Sequence, residues 1–566
     1  MRRWLGLQQE GDMMMRWSRA LMLVLALLVM CGSDKKVEAT GGQAVLPGAS
    51  KGLDAAARDQ SGRGGTLIIG MSAGNIPYPN TPPNEGFEGR RWVGYQIYDG
   101  LANWNLAQGD TVPVPSPALA EKWSVGEDKL TWTINLRTGV KFHDGTDFNA
   151  EAVVFNMHRI MNKEFEFFDP DLYVPIRAAT QEIASYRALD PYTVEIKTTV
   201  PYAFFPASMA YILYASPTAV QKWGNKAYVN HPVGTGPFKV DKYVDGQVME
   251  LIPNKEYWGN KPKLDRIILK PMPDPATRLA ALQAGQIHWA EVPPPDSKQQ
   301  LEAEGYHVSL KQYPHAIIFP LNIQDKPFDN PKVREALQYA IDREGMCKHL
   351  LNGLCVPAYQ LMYKGHPWYN EAVGEKYKYD PQKAKHLLVE AGYPHGFKIT
   401  FPYTTGGSGN MWPGPMMELL QRNFQDVGVE LTIVPMEWNT LISTIRATFL
   451  DKEIRAKYQG MWSSPATNAQ PSLLTYTSSR IPPAGCCNVG LYQSPEYDRL
   501  MAAAMAEFDQ VKQDALLNQA MGVLTNDSPV LFLVHDLNFR ALSPKVREFI
   551  QSQSWFADLT TVWVKP

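Results

Sequence analysis

Gly70-Met71-Ser72-Ala73-Gly74 has the spacing of a serine nucleophile elbow, and a β-rich run, Thr66 to Ile69, precedes it. A serine at such a turn serves acyl transfer when a helix follows at once, with its N-terminus facing the developing oxyanion. Here Asn75-Ile76-Pro77-Tyr78-Pro79 follows, then Pro82 and Pro83. Proline at that density bars the helix. The oxyanion loop would also have to lie upstream, where a Gly- and Ala-rich tether is expected. A serine hydrolase using Ser72 is therefore a distant alternative. The 11 histidines form no H-E-x-x-H and the chain has no Walker-type phosphate loop. His143 beside Asp144 reads as a turn histidine, and Asp169 and Asp171 give no carboxylate separation from which to infer a glycosidase pair. Catalysis, resident cofactors and metals are not expected.

With the enzymes set aside, composition narrows the class. The chain has 566 residues, enough for several domains, with 45% hydrophobic and 20% charged residues. Fifty-five Lys and Arg against 57 Asp and Glu leave a net charge of −2. No basic excess exists to displace counterions from a phosphate backbone, so nucleic acid is not an expected partner. Aromatic residues reach 11%, beside 44 Pro and 42 Gly. That combination supplies rigid turns and flat apolar surfaces.

Arg16 and Arg19 precede an apolar run, Ala20 to Met30, too short for the roughly 20 residues a membrane helix needs. This is the pattern of a secretory signal, assigned to residues 1–39, with an alternative start at Met13. Cys31 closes Leu28-Val29-Met30-Cys31, which resembles a bacterial lipoprotein box, while Val37-Glu38-Ala39 offers an ordinary cleavage site. A periplasmic location is expected, with an N-terminal lipid on Cys31 as one variant and residues 40–64 as a flexible tether. In an oxidising compartment Cys347 and Cys355 are placed to bridge across a helix end. Cys486 and Cys487 are adjacent; each can pair elsewhere, stay free, or close a vicinal ring.

Strands are expected at Leu130–Leu136, resuming at Val140–Phe142, and at Tyr192–Thr198. A hairpin is expected from Pro237–Val244 with Val248–Ile252. Lys398–Phe401, Glu430–Pro435 and Val530–Val534 read as further strands. Asn149 caps a helix to Met161, and Thr277–Ala284 ends at Gly285. Further helices are expected at Val333–Leu351, from Asp380-Pro381 to Gly392, at Met416–Val427 and at Tyr497–Val523. The fold class is mixed α/β.

The segment Pro117 to Trp123, then Leu130 to Phe155 with Lys141-Phe142-His143-Asp144-Gly145, resembles the peptide-type solute-binding proteins (family 5) of bacterial ABC importers. Pro232 to Phe238, Tyr257-Trp258, Thr277-Arg278-Leu279, Ala340 to Arg343 and Pro495 to Asp498 match in the family's order. The resemblance runs from about Gly65 to Pro566. It implies a periplasmic binding protein-like fold of two lobes joined by a hinge, the first lobe carrying an inserted subdomain. Mapped here, the first lobe takes 65–310 and 530–566, with 105–230 as the insert, and the second takes 311–529. The hinge crossings fall near Tyr313 and His535. The implied function is capture of a peptide or peptide-like solute by a monomer. Delivery is to an inner-membrane ABC permease with cytoplasmic ATPases. A neutral oligosaccharide or an opine-like compound is the alternative ligand.

Peptide-binding relatives pair the ligand's α-amine with an aspartate shortly after a tryptophan matching Trp462. This chain continues Ser463 to Pro471 without an acid. Dipeptide-binding relatives place an arginine for the carboxylate before the helix matching Met416–Val427, whereas Tyr403 to Trp412 is uncharged. A neutral, aromatic pocket is thus expected, unless counter-charges come from Glu85, Glu88 or Arg90. The candidate wall comprises Asn75, Tyr78, Tyr313, His315, Phe319, Tyr403, Asn410, Trp412, Trp438, Trp462, Ser463 and Ser464.

Overall fold

A computed structural model describes residues 62–314, 316–407, 410–463, 470–482, 485 and 487–566. The expectations for Cys31, the signal and most of the tether, His315, Ser464 and Cys486 lie outside the described residues.

The first lobe is built on a seven-stranded sheet. From edge to edge it runs His307–Ser309, Arg540–Leu542, Trp289–Glu291, Thr66–Met71, Arg266–Pro271, Val248–Pro253 and Phe238–Val244. Thr66–Met71 lies parallel to both Arg266–Pro271 and Trp289–Glu291. Its C-terminal end delivers the chain into the loop after Met71, the edge at which open α/β sheets present ligand loops. Leu67, Ile69, Leu269 and Trp289 are fully buried beneath it. The insert contributes a four-stranded antiparallel sheet, ordered Ala120–Val125, Thr131–Leu136, Thr193–Thr198, Ile183–Asp190. Its helix Ala150–Met161 is capped as expected, with Asn149 accepting from the Ala152 N–H. Val140–Phe142 does not resume the strand; only an isolated bridge from Lys141 to Asp147 forms there.

The second lobe contains a three-stranded sheet of Ile317–Pro320, Val530–Asp536 and Cys355–Pro357. Beside it a βαβ unit pairs Lys398–Thr404 in parallel with Glu430–Met436 through the helix Pro413–Asp426. Val530–Asp536 pairs with second-lobe strands, and the chain rejoins the first-lobe sheet at Arg540–Leu542. The two connecting segments are hydrogen-bonded to each other, Lys311 N to Leu537 O and Tyr313 N to Asp536 O.

Two expected helices are broken. Val333–Leu351 is a helix only over Pro331–Ala340; Asp342 then accepts from the Gly345 N–H and starts a separate turn. The buried Arg343 guanidinium takes carbonyls of Gln338, Tyr377 and Phe532, which a straight helix would not present. Tyr497–Val523 is two helices, Pro495–Ala506 and Gln510–Asp527, the second capped by Asp509.

Cys347 and Cys355 form a disulfide eight residues apart in sequence. By loop-closure entropy it stabilises the second lobe by about 2.5 kcal/mol. The Cys347→Ser/Cys355→Ser pair is expected to lose that amount in denaturant unfolding, and added reductant to reproduce the loss in the wild type.

Candidate ligand-binding site

The loop after Met71 is held by one acid. Glu88, fully buried, accepts from the backbone N–H of Ser72 (2.9 Å) and Ala73 (3.2 Å), and from Ser72 Oγ (2.8 Å). The loop runs without a helix as far as Gly86, and Ser72 Oγ is turned to a carboxylate. Asn84 Oδ1 accepts from Tyr78 N at 2.6 Å and closes the bend that presents Asn75 and Tyr78. A Cβ on Gly89 would stand 1.8 Å from Asn84 O, so only glycine lets the following helical turn pack under this bend.

Glu85 sits at the end of the same loop in the left-handed region, φ 60°, a costly backbone for a side chain of that length. It is 1% exposed. Its Oε1 accepts from Asn439 Nδ2 of the second lobe, and Oε2 is buried with no hydrogen-bond partner. Burial pushes the carboxyl up to about 7; the Asn439 hydrogen bond opposes that, while Glu88 and Glu437 push the same way.

Across the cleft, Glu437 caps the helix Trp438–Leu450 by accepting from Thr440 N. That helix turns Trp438, Asn439 and Arg446 to the first lobe. Arg446 is the single charge in its 13 residues. Burial lowers its guanidinium from the usual arginine range, and the neighbouring Asp171 carboxylate opposes that. Trp462 is fully buried, with Nε1 donating to Asn410 Oδ1 (3.1 Å) and its edge toward Phe319 at 5.6 Å. Ser463 is fixed by paired backbone bonds with Ile318.

Between these walls lies a cavity of about 1430 Å³, above the roughly 300–1,000 Å³ of ordinary small-molecule sites. Asn75, Tyr78, Trp438, Trp462 and Ser463 line it, as do Phe87, Ile176, Ile442, Tyr476 and Tyr492. Tyr313, Phe319, Tyr403, Asn410 and Trp412 are not on its wall. Tyr313 stacks on Trp555 at 4.6 Å, and Phe319 stacks on Phe401 at 5.3 Å inside the second-lobe core. Tyr403 lies on the strand Lys398–Thr404, Asn410 supports Trp462, and Trp412 precedes the helix Pro413–Asp426.

The expectation of a neutral pocket is corrected. Glu85, Arg90, Asp171 and Arg446 all reach the cavity. Arg90 is partly engaged, donating to Tyr211 O at 2.9 Å, and Asp169 is held by Arg159 at 3.2 Å. Several lining residues lie outside the candidate wall, among them Asp171, Lys226, Asp245 and Arg446. Of these Arg446 carries a signal in the sequence, its isolation in an otherwise uncharged helix.

Two α/β lobes walling a cavity, with a two-segment connection between them, define a periplasmic binding protein-like receptor. Residues 114–481 match the family described as bacterial extracellular solute-binding proteins, family 5 Middle. The chain belongs to that family, whose members are periplasmic or extracellular and deliver ligands to ABC permeases. It is 31% identical over 463 residues to the glutathione-binding protein GsiB of Shigella flexneri, covering 79% of this chain and 83% of that one. Helicobacter pylori DppA, an ABC transporter-associated periplasmic binding protein solved with the peptide STSA, superposes with a TM-score of 0.79 at 26% identity. That alignment covers 90% of this chain and 99% of DppA. The Escherichia coli murein tripeptide binding protein MppA shares the fold, with a TM-score of 0.74 at 21% identity over 88% of this chain and 98% of MppA. Among the described residues no helix is long and apolar enough to cross a membrane.

Proposed function

We propose that this chain is the capture subunit of an ABC importer for short peptides or peptide-like zwitterions, acting as a monomer without catalysis. The observation that carries the ligand class is a cavity lined by both signs of charge. Glu85 on the first lobe faces a wall to which the second lobe adds Arg446, while Arg90, Lys226, Asp169, Asp171 and Asp245 lie on the first-lobe side. Each end of a zwitterion then meets a counter-charge as the lobes close, and the apolar wall takes the intervening residues. The names of the relatives, glutathione-binding and peptide-binding, point to the same class. In this reading the first lobe spans 65–310 and the chain from Leu537 onward. The second takes 311–529 together with the strand Val530–Asp536, which the expected boundary gives to the first. Cys31 carries the lipid that tethers the receptor near its permease. Ser72 has no catalytic part in this reading, since no helix follows it before Gly86 to face an oxyanion and its hydroxyl, donating to Glu88, helps to hold the loop.

A thermal-shift panel tests the ligand class. Trialanine, glutathione, maltotriose and an opine are compared at matched concentrations. A ligand at 100 times its Kd adds about 2.7 kcal/mol. Trialanine or glutathione is expected to give the largest shift. A dominant shift with maltotriose would overturn the reading.

A further inference from the structure

The Glu85 carboxylate lies in the seam between the lobes. It is attached to the first, covered by Asn439 of the second, and approached by Gly407, where a Cβ would come within 3.7 Å of Oε2. Nearby, the Gly407 N–H donates to Ser72 O at 3.2 Å. Closure therefore seals an acid with one hydrogen bond from Asn439 and one oxygen left over. A buried carboxylate in that state is costly unless something neutralises it. The charged groups that bear on it most are Glu88 on its own turn and Glu437 beside Asn439, both acidic, so neither can.

Resting on the peptide-like reading of the cavity, the geometry points to Glu85 as the seat of the ligand's primary ammonium, taken up in the open cleft and buried at the seam on closure. The acid is thus supplied by the first lobe and not by the segment after Trp462. It couples recognition to closure, because the side chain that takes the amine is also the one that Asn439 reaches across to bind. A solute lacking a cationic group must instead be enclosed with a proton on Glu85.

This gives the two kinds of ligand different pH responses. An open, solvated glutamate titrates near 4.3, and the closed one near 7. Closing over a neutral ligand therefore takes up a proton. Its affinity should rise about 20-fold between pH 7.5 and 5.5. Closing over an ammonium leaves Glu85 ionised throughout, so affinity should change by no more than about twofold. Asp536, another buried acid raised to about 7, is common to both cases and cancels in the comparison.

The test is calorimetric titration of the full chain with trialanine and glutathione, each beside its N-acetyl form, at both pH values. In the wild type the free amines are expected to bind at least about tenfold more tightly at pH 7.5. Only the acetylated forms should tighten on acidification. Glu85→Gln is expected to abolish both the preference and the pH response, and the wild-type comparison stands alone should that variant fold poorly. Equal binding of free and acetylated forms would overturn the assignment and leave peptide capture standing. So would a Glu85→Gln protein that keeps the wild-type preference. No binding of any of the four would overturn the peptide reading and this assignment with it.

Discussion

Glu291→Ala is expected to destabilise the first lobe by about 3–5 kcal/mol. Glu291 ends a central strand of the seven-stranded sheet and lies between two arginines, all three side chains fully buried. Arg91 Nη2 stands 2.7 Å from one carboxylate oxygen, Arg540 Nε 3.1 Å from the other, and Trp289 Nε1 donates at 2.7 Å. Both guanidiniums also share the carbonyl of Trp555. Removing the carboxylate leaves two cations in a dry core with the Trp555 carbonyl between them and Glu88 and Asp536 as the remaining acids that bear on them. The Coulomb attraction lost exceeds anything a relaxed alanine cavity restores. Hydrogen exchange of Thr66–Met71 against denaturant measures the loss in the lobe concerned, and a change below about 1 kcal/mol would contradict it. Replacing all three by Met, Leu and Met is expected to be near neutral, because the desolvation cost then disappears with the attraction.

The second large effect falls on binding. Arg480 of the second lobe, 1% exposed, holds both carboxylate oxygens of Glu182 in the insert at 2.8 Å and reaches Gln181 as well. The same seam carries a backbone bond from Ala203 N to Met505 O. Truncating one partner of a buried, hydrogen-bonded charge pair costs about 2–5 kcal/mol. Because this pair spans the lobes, the loss falls on closure, and Arg480→Ala is expected to weaken glutathione or trialanine binding at least about 30-fold. Glu182→Ala should do the same, and the double variant should be little worse than either. Unchanged affinity in Arg480→Ala would mean that closure does not depend on this contact.

Legibility in the sequence followed how local the cause was. Asn149, Asp380-Pro381 and Gly392 are neighbours of the helix ends they fix, and those ends fall where the residues say. The break after Ala340 serves Arg343, whose partners include Phe532, almost 200 positions away. The break at Asp509 had a local signal, a cap residue inside a helical run, outweighed by the apolar period on either side. Asn75 and Tyr78 are legible because they follow the first strand, and Trp462 because its position matches a pocket residue of the resembled family; with Trp438 and Ser463 they line the cavity. Tyr313 and Phe319 are candidates by their place at the hinge crossing, and they pack into the core instead. Glu85 and Glu88 look alike in sequence, two acids in one turn. The backbone amides of Ser72 and Ala73 occupy the first-lobe acid Glu88, while Glu85 is left with an orphan oxygen, and only the folded loop separates them.

Native mass spectrometry of the freshly purified full chain, with collisional release of whatever it carries, tests the central claim most directly. A released species that bears a primary amine and fragments at amide bonds is the expected result. A species fragmenting by successive hexose losses, with no amine, would contradict capture of a peptide-like zwitterion between the lobes.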